Sequence, residues 1–290
     1  MSRMRPTSVA GALIFYGPGK IMLSRAETCF QQGSPADALA QLQDQIRKEP
    51  SNPKLRIFLF QLLVVLGQWE RALTQLKLIG ELDASSLLMV QTYREAIQCE
   101  AFRGQVFAGK RSPLVFGEPQ QWLALLIEAL RLDADGHFAE ALTLRNQALE
   151  LAPASSGSID GIAFDWIADA DSRLGPTLEA IFNGRYYWVP IQQISKIELD
   201  TPADLRDMVW MPVLFTWSNG GQASGLIPTR YSGSENSDDA AICMARKTEW
   251  REVAEGGYQG LGQRLLATNV DDYALMDIRT IELRASAGAD

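Results

Sequence analysis

The first half of the chain repeats one pattern of small and apolar residues. Three segments each place a glycine five and six residues before an Ala-Leu pair, at residues 33–39, 67–73 and 136–142. The first two glycines are 34 residues apart, and the second and third are 69 residues apart, about twice that period. A period of this length indicates stacked helical hairpins, because each unit must bury its apolar face against the next.

Each part of the pattern has a physical role in a helical hairpin. The glycine ends the first helix where the chain turns, and the small alanine lets the second helix pack closely against the first. Leu73, Leu76 and Ile79 then recur at helical spacing on one face. Pro50 and Pro153 stop the second helix in the first and third copies. Together these features resemble the tetratricopeptide repeat.

The segments around the glycines complete this helical region. Residues 54–66 are almost entirely apolar, as a central helix buried on several sides requires. Residues 93–107 are helical in character but lack the glycine-to-alanine pattern, so they form either a degenerate unit or one long spacer helix. Residues 112–119 predict a loop, and residues 120–132 begin the last helix pair.

Beyond residue 154 the pattern becomes one of strands. Asp160-Gly161 predicts a hairpin over residues 159–164, and Asn219-Gly220 predicts a second one. Helices are predicted at residues 176–182 and 238–246. Further segments have the composition of strands: residues 185–189, 194–199, 208–217, 222–229, 248–253, 261–268 and 278–283. Short strands at this spacing predict a small antiparallel barrel or curled sheet.

These patterns predict an α+β fold with two domains. A helical solenoid resembling tetratricopeptide repeats covers residues 21–154, and a small antiparallel β-barrel-like domain covers residues 155–290. Residues 1–20 are predicted to be a disordered N-terminal extension. Arg3 and Arg5 precede an apolar run at residues 9–16, but this run is at the lower limit for a signal peptide and no clean cleavage site follows it.

Charge changes near the same boundary. Residues 1–154 carry 16 basic and 15 acidic side chains, whereas residues 155–290 carry 11 and 20, so the net charges are +1 and −9. An acidic half repels phosphate groups, which argues against nucleic-acid binding. No segment reaches the roughly 18 apolar residues of a membrane span. We therefore expect a cytoplasmic protein that binds neither nucleic acid nor membranes.

Few residues are suited to catalysis or metal binding. His137 is the only histidine and follows a repeat glycine, where an exposed turn is expected, and the three cysteines form no C-x-x-C motif. Asp165, Asp169 and Asp171 could serve a metal-dependent enzyme as ligands or as acid and base. The alternative, that they precede and cap a helix near residue 176, is favoured because no glycine-rich calcium loop follows. The sequence therefore predicts no catalytic residue, cofactor or metal.

Several long motifs occur in order between about residue 22 and residue 284 of the chain. They lie at residues 55–63, 67–73, 168–176, 183–190, 204–210, 228–235 and 245–250. Taken together, they resemble the ImpE family, also called TagJ, whose members are accessory proteins of bacterial type VI secretion.

This resemblance implies a non-enzymatic protein that binds the contractile-sheath subunit TssB, through a helix near the N-terminus of that subunit. It also implies a link to the handling of the sheath by the recycling AAA+ ATPase, and a helical domain followed by a β domain. Two alternatives stay open. One is a general solenoid adaptor or chaperone unrelated to secretion, and the other is the metal-dependent enzyme that uses Asp165, Asp169 and Asp171.

We expect the partner helix to bind where the two domains meet. Because side chains alternate along a strand, Tyr186 and Tyr187 cannot both face the core of the β domain. One of them is therefore a candidate apolar anchor for the partner helix. Asp165 and Asp169 are candidate acidic contacts for its basic residues.

Overall fold

Helices come first and strands follow in residues 25–284, the part of the chain that this computed structural model describes. The helices of the first part are α1 (Arg25–Gln31), α2 (Pro35–Lys48), α3 (Pro53–Val65), α4 (Trp69–Leu82), α5 (Leu87–Phe107), α6 (Gln121–Ala134) and α7 (Phe138–Leu151). Within this described range, no helix combines the length and the apolar composition needed to cross a bilayer. The extension predicted at residues 1–20 lies outside the described residues.

The predicted helical repeat is confirmed. Helices α1 and α2, α3 and α4, and α6 and α7 pack against each other as pairs. Gly33, Gly67 and Gly136 follow the first helix of each pair and have φ angles of +85°, +65° and +82°. Residues with a Cβ atom rarely adopt this conformation, which explains why glycine stands at each turn.

Strands, one short α-helix and several short 3₁₀ helices make up the second part of the chain, and one further strand lies between α5 and α6. The strands are β1 (Leu114–Val115), β2 (Gly157–Ile159), β3 (Ile162–Phe164), β4 (Ile167–Asp169), β5 (Thr177–Phe182), β6 (Arg185–Pro190), β7 (Ile194–Leu199), β8 (Trp210–Trp217), β9 (Gln222–Pro228), β10 (Thr248–Ala254), β11 (Gly257–Gly262), β12 (Leu265–Thr268), β13 (Asp272–Ala274) and β14 (Thr280–Leu283). The short helix is α8 (Ala240–Cys243). The first strand, β1, lies in the segment between α5 and α6, so the helical region contributes directly to a sheet.

The main sheet has nine strands in the order β1-β6-β5-β9-β8-β7-β14-β2-β3. Its strand pairs are antiparallel except for β1 and β6, which are parallel. A three-stranded sheet (β13-β12-β4) and a hairpin (β10-β11) accompany it. The prediction of a barrel is not confirmed, because closure requires the two outer strands to pair and here β1 and β3 do not. The sheet is open and mixed, within the predicted α+β class.

The helix predicted at residues 176–182 is wrong, because β5 occupies this segment. All six residues of β5 are buried, so the segment lacks the alternation that identifies a strand with one solvent-facing side. Asn183 and Gly184, interpreted as a helix stop, have φ angles of +51° and +69° and form the tight turn between β5 and β6.

Three smaller predictions also change. The loop expected at residues 112–119 contains β1, which pairs with β6. The strand expected at residues 261–268 is divided between β11 and β12, because Gly262 has a φ angle of +86° that interrupts the strand. The helix expected at residues 238–246 is limited to the four residues of α8.

Helix α5 joins the repeat to the sheet. It is one helix of 21 residues, which agrees with the long spacer helix and not with a degenerate unit. It packs against α4 on one side and against β6 on another. The rings of Trp69 on α4 and Tyr93 on α5 lie 5.9 Å and 6.0 Å from the ring of Trp210 on β8. Aromatic pairs at these distances are stabilising, so the helices and the sheet share one core.

Gly67→Val tests the turn between α3 and α4. A β-branched residue is strained at a φ angle of +65°, and a Cβ atom here would lie 2.9 Å from Cβ and Cγ of Glu235. We expect the free energy of unfolding to fall by about 1–3 kcal/mol, measured by urea denaturation. Gly33→Val is the matched control, because Gly33 has a φ angle of +85° but no atom within 4 Å of its Cβ position. We expect a smaller loss there, and an unchanged stability of Gly67→Val would contradict this account of the turn.

Candidate functional site

A buried ion pair joins α5 to the sheet. Arg103 of α5 donates from Nε to Oε1 of Glu179 on β5 at 2.6 Å, and from Nη2 to Oε2 at 2.9 Å. Arg103 also donates to Glu100, one turn earlier in α5, at 2.9 Å. Arg103 and Glu179 are 1% and 0% exposed, so water does not reach the pair. A bidentate arginine–carboxylate contact fixes both the distance and the orientation of the helix relative to the strand.

The same carboxylate holds a second arginine from a distant part of the chain. Arg264, which lies between β11 and β12, contacts Glu179 and Asp169 through its two terminal nitrogens. Tyr186 of β6 donates its hydroxyl to Glu179 and accepts a hydrogen bond from Nε1 of Trp188 at 2.8 Å. Glu179 therefore bonds to side chains from α5, from β6 and from the segment before β12.

We call Arg103, Glu179, Arg264 and Asp169 the buried ion network. Burial by itself raises the pKa of Glu179, but the charges of Arg103 and Arg264 outweigh it and lower this pKa to about 2. Burial raises the pKa of Asp169 to about 6, because Arg264 offsets the desolvation only in part and the nearby Asp171 carboxylate adds to it. At neutral pH Glu179 is ionised and holds both arginines.

Two of the predicted partner contacts belong to this buried region. Tyr186 is 2% exposed and Asp169 is 3% exposed. The Tyr186 hydroxyl faces inward because it bonds to Glu179, and Asp169 faces inward because it pairs with Arg264. A partner cannot touch either side chain in this structure, so neither the Tyr186 anchor nor the Asp169 contact is compatible with the fold. The junction of α5 with the sheet is filled by the protein itself.

The other two predicted contacts lie nearer the surface but far apart in the sheet. Tyr187 is half-buried, and its ring stacks on Phe182 at a centroid distance of 4.3 Å. Asp165 is exposed and accepts a hydrogen bond from Nδ2 of Asn269 at 2.9 Å. Tyr187 belongs to β6, next to one edge of the nine-stranded sheet, whereas Asp165 directly follows β3 at the other edge. The structure does not bring them together into one site.

Two of the three aspartates pair with buried arginines. Asp171 accepts from Nε of Arg173 at 3.0 Å and from Nη2 at 2.6 Å, and it also accepts from the backbone N–H of Gly260 at 2.8 Å. Asp169 pairs with Arg264, and Asp165 faces solvent. In residues 25–284 no three His, Cys, Asp or Glu side chains are placed to hold a metal ion. The helix-capping interpretation also fails, because β5 stands where that helix was expected.

His137 lies at the turn between α6 and α7. Its side chain is 56% exposed, and its Nδ1 atom lies 3.7 Å from a carboxylate oxygen of Glu140. This position is the exposed turn that the sequence indicates.

The helical surface contains an open groove between α4 and α5. Its apolar lining comes from Trp69 and Leu73 of α4 and from Ile97 and Ala101 of α5, and its volume is about 520 Å³. The pattern of residues 93–107, which indicates a degenerate unit or a spacer helix, does not reveal this groove. The signal that marks it is the scarcity of charged residues on the outer face of α5.

The repeat turns, the paired helices and the open sheet define a tetratricopeptide-like helical-repeat protein with a strand-rich C-terminal part. A tetratricopeptide repeat family matches residues 30–91, and the ImpE protein family matches residues 161–282. The type VI secretion system accessory component TagJ of Pseudomonas aeruginosa is 50% identical over 257 residues, which cover 89% of this chain and 90% of that protein. The chain belongs to the ImpE family and is a homologue of TagJ.

A solved structure has the same fold. The crystal structure of a Vibrio parahaemolyticus protein matches with a TM-score of 0.82 over 91% of this chain and 98% of that one. The two sequences are 24% identical, so this similarity concerns the fold alone. It supports a helical region followed by a strand-rich region.

Glu179→Gln tests whether the buried ion network holds the helices to the sheet. The change keeps the shape of the side chain but leaves Arg103 and Arg264 buried without their shared counter-charge. We expect the free energy of unfolding to fall by about 3–5 kcal/mol. Glu198→Gln is the matched control, because Glu198 of β7 pairs with Lys196 at 2.9 Å but is 43% exposed. We expect the free energy of unfolding of Glu198→Gln to fall by less than about 1 kcal/mol. An equally small loss in Glu179→Gln would contradict the role of the network.

The low pKa of Glu179 predicts how the stability of the protein changes in acid. Its folded pKa of about 2 lies below its ordinary value of 4.5, so its stabilisation is complete above about pH 4.5 and is lost as the pH falls towards 2. Asp169 has the opposite sign: its folded pKa of about 6 exceeds the ordinary 3.8, so its contribution to stability increases as the pH falls from 6 towards 3.8. Urea denaturation on either side of pH 4.5 checks this. Glu179→Gln is expected to lose less stability in acid than the wild type, and an equal loss would argue against the assignment.

Proposed function

We propose that this protein is a non-enzymatic accessory protein of a bacterial type VI secretion system that binds the N-terminal helix region of the sheath subunit TssB. Through this contact it assists the handling or recycling of the contractile sheath by the AAA+ ATPase. The observation that carries the proposal is the 50% identity with TagJ of Pseudomonas aeruginosa across 89% of this chain. That relative is named as an accessory component of the type VI secretion system.

The environment of the aspartates supports a binding role over an enzymatic one. A general base or metal ligand needs a carboxylate that is free to meet substrate or metal. Asp169 and Asp171 are instead buried and paired with Arg264 and Arg173. Asp165 is the one member of the predicted cluster that faces solvent, and a single carboxylate does not make an acid–base pair.

The helical region supports a helix as the partner. An amphipathic helix binds a groove through apolar side chains at i, i+3 or i+4, and i+7. The groove between α4 and α5 is open and mainly apolar, with Trp69 and Leu73 on one side. The groove therefore offers a surface to the proposed TssB helix. The junction of α5 with the sheet offers none, because the protein's own side chains fill it.

We place the protein in the cytoplasm. Cys29, Cys99 and Cys243 are free thiols, which is usual for a reducing compartment. A protein that acts on sheath subunits together with an ATPase requires the compartment in which ATP is present.

Co-purification with TssB tests the proposal. The tagged protein is expressed with intact TssB or with a TssB variant that lacks its N-terminal helix. We expect the intact subunit to be retained and the shortened one to be lost, because the helix supplies the apolar contacts. Calorimetric titration with a synthetic peptide of that helix gives the dissociation constant, and a shuffled peptide of the same composition is the control.

The outcomes separate the alternatives. Retention of both forms of TssB would contradict a contact through the helix. Retention of neither form, with no heat of binding from the peptide, would contradict the proposed function and favour a general adaptor of another system.

A further inference from the structure

The outer face of α5 is unusual for a solvent-exposed helix. Seven exposed residues recur along this face at alternating spacings of four and three: Leu87, Gln91, Arg94, Gln98, Ala101 and Gln105 of α5, and Ala108 directly after it. Six of the seven carry no charge. Exposed helix faces ordinarily carry charged side chains, whereas the centres of protein interfaces are depleted of them. The composition of this face is therefore that of a surface that another protein covers.

Gly104 makes the same face accessible to close approach. It lies in the interior of α5, where glycine weakens a helix relative to alanine. A Cβ atom at Gly104 would meet no atom within 4 Å, so packing within this protein does not require glycine there. Together with Ala101 and Ala108, it leaves a low surface against which a second helix can pack closely.

The groove adjoins this face. Ala101 and Gln98 belong both to the exposed face and to the lining of the groove, and Trp69 and Leu73 form the opposite wall. With a volume of about 520 Å³, the groove has room for more than one apolar side chain. A partner helix that lies along α5 can therefore insert apolar side chains into the groove from the face that it turns towards α5.

Exposed positive charges accompany the face. Arg94 lies on it, and Lys110 and Arg111 stand just beyond its C-terminal end. None of the three forms a salt bridge within residues 25–284.

We propose that the outer face of α5 and the adjoining groove form the docking surface for one amphipathic helix of a protein partner. Its centre is apolar and packs on Ala101, Gly104 and the groove. Acidic side chains of this helix pair with Arg94 and, just beyond the last turn of α5, with Lys110 and Arg111. This assignment rests on the proposed function, and it identifies where the partner helix binds and what charges that helix carries.

Ala101→Arg tests the centre of this surface. The arginine places a charge and a long side chain at the mouth of the groove, so we expect the dissociation constant for a fluorescent peptide of the TssB N-terminal helix to rise at least about tenfold. Ala124→Arg on α6 is the matched control, because Ala124 is also an exposed helical alanine but lies outside the surface. We expect a change of less than about twofold for the control. Circular dichroism and the melting temperature establish that each variant is folded.

The charged ends have a separate test. Lys110→Glu combined with Arg111→Glu is expected to weaken binding and to reduce its dependence on salt, since the proposed attraction at that end becomes a repulsion. Gln98→Arg replaces Ala101→Arg if the latter does not fold.

Each outcome bears on a different claim. Peptide binding that Ala101→Arg and Gln98→Arg leave unchanged would overturn the docking surface while the proposed function stands. Unchanged binding by the charge-reversed variant would overturn the acidic ends of the partner helix. No peptide binding by the wild type would overturn the proposed function and this surface with it.

Discussion

The placement of the helices on the sheet depends on one buried carboxylate. Glu179 is fully buried, and it accepts hydrogen bonds from Arg103 of α5, from Arg264 and from the Tyr186 hydroxyl. Removing these charges from water is costly, and the cost is offset only when every member of the set has its partner. The arrangement therefore tolerates little displacement of α5, because a shift that parted Arg103 from Glu179 would break a buried bidentate ion pair. The orientation of the groove between α4 and α5 is a consequence of this constraint.

Helix α5 accordingly has two faces with different roles. Its inner face carries Arg103, which contacts Glu179 and the backbone carbonyl of Arg230, and Cys99, which lies 3.5 Å from the carbonyl oxygen of Gly184. Its outer face is largely uncharged and open to solvent. The junction expected to receive a partner is thus occupied by the protein, and the docking surface that we propose lies on the opposite side of the same helix. The acidic charge of the C-terminal half is partly internal, since Asp169, Asp171 and Glu179 neutralise buried arginines.

The helical and strand-rich parts are also joined through the chain segment between α5 and α6. β1 lies in this segment and pairs in parallel with β6, and Phe116 directly after it packs 4.4 Å from the ring of Trp217. Tyr187 faces this aromatic cluster, which explains why it stacks on Phe182 and is only half-exposed. β1 is the last strand at this edge of the sheet. In the described residues it does not pair with β3 at the opposite edge, so the sheet does not close into a barrel.

Local sequence patterns determined the parts of this protein that depend on neighbouring residues. The glycine period identified the helical hairpins, because a positive φ angle at Gly33, Gly67 and Gly136 is a local requirement of each turn. Asp160-Gly161 identified the β2–β3 hairpin for the same reason. Strand β5 could not be identified, since burial on both faces removes the alternation that distinguishes a strand. Only the tertiary structure decided which tyrosine faces inward and which aspartates are paired, because Glu179 lies 76 residues from Arg103 and 85 from Arg264. No local pattern encodes contacts of that separation, and they form only when the helices and the sheet are packed together.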